Sequence, residues 1–272
     1  MSTGELTTTA PSGHRRVTPT LVSDTLAIAW RGVITYRRVP QLLVFSTIQP
    51  VVFVVLFRYV FGGAIHVPGV HYVDYLMPGI FVQTSVFGAI ATAIGLATDV
   101  QSGLLERFRS LPMARSAVLT GRTLADLFRN VFVVILMAGV GFLVGYSVHT
   151  NAAKFVAAMA LVLLFGYSMS WVFATVGLLL GNPESAQAAA FPVMAPLVFA
   201  SSAFVSVSTM PGWLQPFAEH QPVSVTASAA RALTLGTPAT SYVLQSLAWV
   251  AGILLVFVPI AVRRYRRAVW AA

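Results

Sequence analysis

Long charge-free apolar runs alternate along this chain with short clusters of arginine, and a stack of membrane-crossing helices is the arrangement that accepts such a pattern. Six apolar segments recur, at about 41–61, 76–98, 131–149, 155–180, 187–208 and 243–262. Each approaches or exceeds the roughly 20 residues a helix needs to cross a ~30 Å hydrocarbon core. They are rich in Val, Leu, Ile, Phe and Ala, and the ~10-residue alternation of a barrel strand does not recur in them. The expected fold is therefore all-α: an integral membrane protein with six transmembrane helices, each closing its own backbone hydrogen bonds. A soluble globule is excluded, because charged side chains make up only 9% of 272 residues and cannot coat one. Residues 185–218 form one charge-free run holding Pro192, Pro196, Pro211 and Pro216, so part of it reads as broken or re-entrant.

Direction follows from the basic residues, sixteen Arg and the single Lys154. With six spans, fourteen of them fall on the side shared by both termini, the 99–130 loop and the 181–186 turn; Arg58, Lys154 and Arg231 fall on the other. The positive-inside rule then places both termini in the cytoplasm and the chain in the cell (inner) membrane. Arginine clusters between apolar spans point to anionic lipid headgroups, and no nucleic-acid motif accompanies them. Residues 1–20, rich in Ser, Thr, Pro and Gly, read as a disordered cytoplasmic tail, and the Arg15-Arg16 pair as part of it. Residues 21–272 read as one six-span domain. From Leu21 to Val39, apolar residues at helical spacing (Leu26, Ile28, Trp30, Val33, Ile34) sit among Arg31, Arg37 and Arg38. That suits an amphipathic helix lying in the inner interface, with a juxtamembrane linker as the alternative.

No span carries Asp, Glu, Lys or Arg in its interior. An ion-coupled carrier usually keeps such a group near the midplane, and an intramembrane hydrolase needs an acid–base pair or a metal cluster. The interior polar residues, among them Gln49, Gln83, Thr84, Ser85, Ser168, Ser170, Ser201 and Ser202, read mostly as helix–helix hydrogen-bonding groups, a minority lining a path. Gly139, Gly141 and Gly145 suit close helix packing. His66, His71 and Asp74 are close in sequence, but their spacing matches no helical face, so solvated loop residues are expected rather than a metal site. His220 has no partner in sequence, and His149 ends a span. The only lysine follows Ala153, so a phosphate-binding Gly-Lys loop is absent and ATP cannot bind in that manner. If the chain moves a substrate, a separate ATPase supplies the energy.

The loop after the second span holds Leu104, Leu105, Phe108 and Leu111 on one helical face, with Glu106, Arg107 and Arg109 around it and Pro112 as a stop. Such a helix docks on a partner or lies on lipid; periodicity leaves both open. The run GLLERFRSLPMARSAVLTGRTLADLFRN (103–130) resembles the cytoplasmic loop of ABC-type multidrug export permeases of the type-two class, which includes the daunorubicin-resistance permeases. LMPGIFVQTSVFGA (76–89) resembles the start of that family's second span, and MPGWLQPFAEHQPVSVTASAARALTLG (210–236) its outer segment before the last span. The resemblance covers about 40–265.

It implies a six-helix permease half that pairs with a second half, the same or a different chain, and with two nucleotide-binding subunits. ATP and magnesium would belong to those subunits, leaving this chain without cofactor, metal or enzymatic activity. It further implies a coupling helix between spans two and three, assigned to Gly103, Leu104, Glu106, Arg107, Phe108, Arg109, Ser110, Leu111, Pro112 and Arg115. The outer segment would form two re-entrant or surface helices before span six, with Met210, Pro211, Gly212, Trp213, Leu214, Pro222, Ala232, Arg231 and Gly236 matching the family pattern. The expected function is ATP-driven outward transport of a hydrophobic or amphipathic drug or lipid-like substrate. An ion-coupled carrier or a non-transporting membrane anchor is the alternative.

Overall fold

Where the sequence runs apolar the backbone closes its hydrogen bonds locally, and the described residues of the computed structural model, 21–38, 40–65, 67, 69–103 and 115–271, contain helices and no strand. In chain order they are α1 (Leu21–Arg38), α2 (Pro40–Val55, continued by a π-helical turn Leu56–Val60), α3 (Tyr72–Gln101), α4 (Arg115–Leu143) and α5 (Ala152–Leu180). Then follow α6 (Pro183–Phe199), α7 (Gln215–His220), α8 (Pro222–Leu235) and α9 (Thr240–Ala271). Four of them, α3, α4, α5 and α9, contain stretches long and apolar enough to cross a membrane, while Ser46–Val60 forms a shorter apolar helix.

Two boundaries differ from the sequence expectation. The third apolar segment belongs to a helix that starts at Arg115 and ends at Leu143. Residues 144–149, expected inside a span, form the connection to α5 instead, and the charged Asp126 and Arg129 lie inside the helix. Apolar counting cannot see this, because one carboxylate and one guanidinium that neutralise each other are tolerated at depth. The fifth segment is helical only to Phe199 and carries Pro192 and Pro196 within it. Beyond it the chain unwinds through residues 200–206. The expectation of a broken segment holds at that point.

Local chemistry sets the helix ends. The side chains of Asn151 and Asn182 accept from Lys154 N and Ser185 N, each at 3.0 Å, and so cap α5 and α6. Gln221 caps α8 ahead of Pro222, which has no N–H to leave unpaired. α3 and α8 both stop at a left-handed glycine, Gly103 (φ +67°) and Gly236 (φ +81°), where a side chain would be strained.

α3 and α5 form the centre, with Phe81, Phe165 and Phe173 wholly buried. They approach so closely that a Cβ at Gly177 would strike the Ala93 carbonyl, and one at Gly166 would meet Ser85 Cβ at 2.7 Å. Of the Gly139–Gly145 stretch, only Gly141 is packed in this way, against Met77 Cε at 2.7 Å. α1 runs along α4: a Cβ on Gly121 would meet Ile28 Cβ at 2.7 Å and the Thr25 carbonyl at 2.8 Å. Of the segment 21–39, residues 21–38 are helical, with Trp30 exposed and one side tied to protein.

Successive long helices run in opposite directions, which gathers their ends into two groups. At one end the start of α3 meets residues 146–150, the unwound 200–206 segment and α8. At the other, Leu96, Leu119, Leu178, Ala261 and Tyr265 share a small apolar cluster. Arg115, Arg122, Arg263, Arg264 and Arg266 lie near this second end.

Candidate functional site

Between α2, α3, α4 and α6 lies a cleft of about 580 Å³, within the size range of small-molecule sites. One part of its lining is apolar: Phe87, Ile90, Val133, Phe191 and Met194. The other carries Gln49, Thr84, Arg129, Asn130 and Gln187. Pro50 and Gly88 lower the bulk of the walls, and a Cβ at Gly88 would collide with the Asn130 amide oxygen.

Arg129 and Asn130 belong to a ladder between the antiparallel α3 and α4. Arg122 Nη1 donates to Asp99 Oδ2 at 2.5 Å. About two turns along, Thr92 Oγ1 donates to Asp126 Oδ2 at 2.6 Å, and Arg129 lies 3.6 Å from Asp126 Oδ1. At the cleft, Arg129 Nη2 donates to the Gly88 carbonyl at 2.6 Å and to Asn130 Oδ1 at 3.2 Å. Steps of four and three residues on α4 (Arg122, Asp126, Arg129) keep all three on one face. Asp126 and Arg129 are almost wholly buried, 2% and 6% exposed, so the guanidinium enters the cleft wall with its charge already balanced.

At the opposite end a second polar system surrounds Arg231. Its Nε donates to the Tyr75 carbonyl at 3.0 Å, its Nη2 to the Ser202 carbonyl at 2.9 Å, and the guanidinium stacks 3.6 Å from the Tyr75 ring centroid. The Tyr72 and Tyr75 hydroxyls donate to the Phe204 and Ser202 carbonyls. Gln221 Nε2 donates to the Leu197 and Ala200 carbonyls. Among them, the bonds to the Ala200, Ser202 and Phe204 carbonyls satisfy backbone that has left the helix beyond α6. Asp74 accepts from Ser147 N at 2.7 Å and lies 2.9 Å from His149 Nε2; Thr150 Oγ1 donates to the Leu233 carbonyl. The last turn of α8 is thereby tied to the start of α5. Tyr146, packed edge-on against Phe81 in the α4–α5 connection, has its phenol pushed up to about 12 by burial and stays neutral.

These contacts correct several expectations. Asp74 is not a solvated loop residue: it lies in the first turn of α3, 1% exposed, and pairs with His149. Among the interior polar groups, Ser168 and Ser170 donate to carbonyls of their own helix, and Ser201, just past α6, to the Val198 carbonyl, rather than across helices. Gln49 and Thr84 do line the cleft. Of the outer-segment residues, Pro222 starts α8, Arg231 is buried in its cage and Gly236 ends the helix, whereas Pro211, Gly212 and Trp213 form an exposed turn between Met210 and Leu214. Leu104, Glu106, Arg107, Phe108, Arg109, Ser110, Leu111 and Pro112 lie outside the described residues, as do residues 1–20 and His66. Gly103 closes α3 and Arg115 opens α4 on either side of that gap.

A family model described as ABC-2 type transporter matches residues 23–235, a stretch holding all but the first two residues of α1, the ladder, the cleft and the cage. The chain belongs to this family. The daunorubicin resistance ABC transporter permease protein DrrB1 of Streptomyces coeruleorubidus is 35% identical over 97% of this chain and 93% of its own length. A probable doxorubicin resistance ABC transporter permease protein, DrrC of Mycobacterium tuberculosis, is 29% identical over 97% of this chain and 96% of its own. A putative transport permease, ycf38 of the alga Pyropia yezoensis, is 26% identical over 75% and 71%. Membership and the apolar helices together make this a multi-pass membrane protein of the ABC-2 permease class.

Sequence reading had missed the ladder partners of this ABC-2 permease, Asp99, Arg122, Asp126, Arg129 and Asn130. One signal was present: Asp126 and Arg129, three residues apart, are the last charges before a long apolar run. Nothing in the sequence announces that Arg231 turns inward.

Proposed function

We propose that this permease moves a hydrophobic or amphipathic substrate outward, driven by ATP hydrolysed in a separate nucleotide-binding subunit. The observation that carries the reading is the cleft: an apolar bundle opens, at α2, α3, α4 and α6, a space the size of a drug molecule with a few polar groups in an otherwise apolar lining. The names of the daunorubicin- and doxorubicin-resistance relatives support a drug-like cargo. The buried carboxylates are already engaged, Asp126 with Arg129 and Thr92, Asp74 with His149 and Ser147. Neither stands ready as an ion or proton carrier, which favours ATP over an ion gradient.

In this reading six helices span the cell membrane: α2 with its π turn, α3, α4, α5, α6 and α9. The arginine-rich end faces the cytoplasm with both termini, and α1 lies at that surface. α7 and α8 enter from the outer side; α8, of 14 residues, extends about 21 Å and does not cross the core. Trp213, 80% exposed, anchors this outer segment at headgroup depth. A second permease half, a copy or a different chain, and two ATPase subunits complete the machine. The segment Gly103–Arg115 is the coupling element: it joins α3 to α4, the two helices of the ladder, so a push there reaches the cleft wall through Arg122, Asp126 and Arg129.

The test is recruitment and export together. Phe108→Ala should lower co-purification of the ATPase by roughly thirtyfold in affinity, the effect of losing an aromatic anchor of ~2 kcal/mol, and reduce efflux of doxorubicin from cells in parallel. Arg263→Glu, at the same end but outside the coupling segment, should leave recruitment unchanged. Normal ATPase recruitment and efflux by Phe108→Ala would remove the coupling assignment, and efflux that persists without any ATPase would remove the whole reading.

A further inference from the structure

We propose that Asn130 is the hydrogen-bond donor by which the cleft reads an acceptor oxygen on its substrate, with the Thr84 hydroxyl as the second contact. This deepens the reading of the cleft as part of the substrate path and rests on it.

Asn130 is 3% exposed, lines the cleft, and its Nδ2 has no partner among the described residues. Its orientation is set by its neighbour. Arg129 Nη2 donates to Asn130 Oδ1 at 3.2 Å, and because a guanidinium can only donate, the amide oxygen is held on that side. The NH2 group is left as the free end. Gly88 makes the arrangement possible, since any Cβ there would occupy the place of the amide oxygen. Arg129 also donates to the Gly88 carbonyl at 2.6 Å, which locks the three residues together.

One helical turn before Gly88, Thr84 is 6% exposed, also lines the cleft, and its hydroxyl has no partner. Other threonines in these helices, Thr98, Thr175 and Thr234, satisfy theirs on the carbonyl four residues back. Two nearly buried polar groups of the cleft lining thus lack the partners that buried groups normally find. A ligand oxygen accepting from Asn130 Nδ2 supplies one. The rest of the lining, Phe87, Phe191 and Met194, suits an apolar or aromatic body. Arg129 is balanced by Asp126, so the site does not call for an anion. The substrate class is an apolar ring system bearing a carbonyl or ether oxygen.

The experiment compares two soluble fluorescent aromatic cations, doxorubicin, which carries quinone and ketone oxygens, and ethidium, which carries no oxygen. Binding is measured on the full-length chain in lipid nanodiscs, purified with the subunits that accompany it. Asn130→Leu should weaken doxorubicin about tenfold and leave ethidium within twofold, and Thr84→Val should shift doxorubicin in the same direction by less. Should Asn130→Leu fail to give monodisperse protein, Thr84→Val decides alone by the same selectivity. Equal loss of both probes, no change in either, or no doxorubicin binding by the wild-type protein overturns the donor assignment. Ala91→Trp, which fills the cleft, separates the two levels. If it leaves both probes bound, the cleft is off the path and both readings fall. If it blocks both probes while the Asn130 and Thr84 variants show no selectivity, the cleft stands and the donor does not.

Discussion

Arg129 and Arg231 are both arginines buried in an apolar bundle, and the protein holds them in opposite ways. Arg129 has a carboxylate of its own helix, Asp126, as counter-charge, and reaches the facing helix α3 at the Gly88 carbonyl, within a ladder whose other rungs are side-chain pairs. Arg231 makes no ion pair among the described residues; backbone carbonyls and the face of an aromatic ring hold it. The difference follows from what each must satisfy. At the α8 end the chain unwinds beyond α6, and a rigid, multiply donating guanidinium bridges the Ser202 carbonyl of that segment to the Tyr75 carbonyl of α3 in one arrangement. Between α3 and α4 both backbones are already helical, so the side chains need only find one another, and pairs of that kind can re-form after one helix slides. That contrast bears on the proposed entry of drive at the α3–α4 connection.

The largest effect should come from the cage. Arg231→Met removes two charge-assisted hydrogen bonds to buried carbonyls and the stacked cation, a loss of about 4 kcal/mol, so little monodisperse protein should survive detergent extraction in a thermal size-exclusion assay. Arg231→Lys should recover only part of this, because one ammonium cannot reproduce the fork. A permease that tolerates Arg231→Met with unchanged thermal stability would break the distinction between the two regions.

Asp126→Asn should cost less, about 2 kcal/mol, since Asn can still accept from Thr92 while Arg129 loses its counter-charge. Adding Arg129→Gln should return at least half of that loss, and a double-mutant cycle reads the coupling directly. Additive losses would mean that the two residues act separately and that the ladder is not a unit.

Glycine substitutions sharpen the same contrast at lower cost. At Gly79 a new Cβ strikes the Ala203 backbone beside the cage, and the main chain cannot swing away, so Gly79→Ala should cost about 2 kcal/mol. At Gly95 the obstacle is the mobile end of Arg122 in the ladder, and Gly95→Ala should cost well under about 1 kcal/mol. Equal thermal shifts for the two would contradict the rigid-versus-yielding difference. The smallest effect belongs to Asp99→Asn. Its partner Arg122 is 31% exposed, so solvent screens the pair, and about 0.5 kcal/mol that fades with added salt is the expected outcome.

The helices were legible because a bilayer leaves a backbone few choices: runs such as 155–180 and 243–262 could only be helices, and α5 and α9 contain them. Arg115 and Arg122, beside the α3–α4 connection, and Arg263, Arg264 and Arg266 in α9 lie near one end of the bundle. Helix ends were less legible. α4 extends 16 residues ahead of its apolar stretch because the charges at Arg122, Asp126 and Arg129 find partners on α3 and Gly88 leaves space for Asn130. α8 was foreseen only through the family pattern. Its composition, mostly Ala, Ser, Thr and Val around one Arg, has no apolar stripe that would tell a buried helix from a surface one.

By itself, then, the sequence determined that this chain is a bundle of apolar helices and which end carries the positive charge, because hydrophobic transfer and headgroup attraction act on each segment independently of its neighbours. Only the tertiary structure decided what the polar residues do. Asp74 meets His149 across 75 residues of chain, and Arg231 meets Tyr75 across 156. A hydrogen bond depends on atoms within about 3 Å, and no periodicity in a single helix records which distant carbonyl or carboxylate the fold will bring that close.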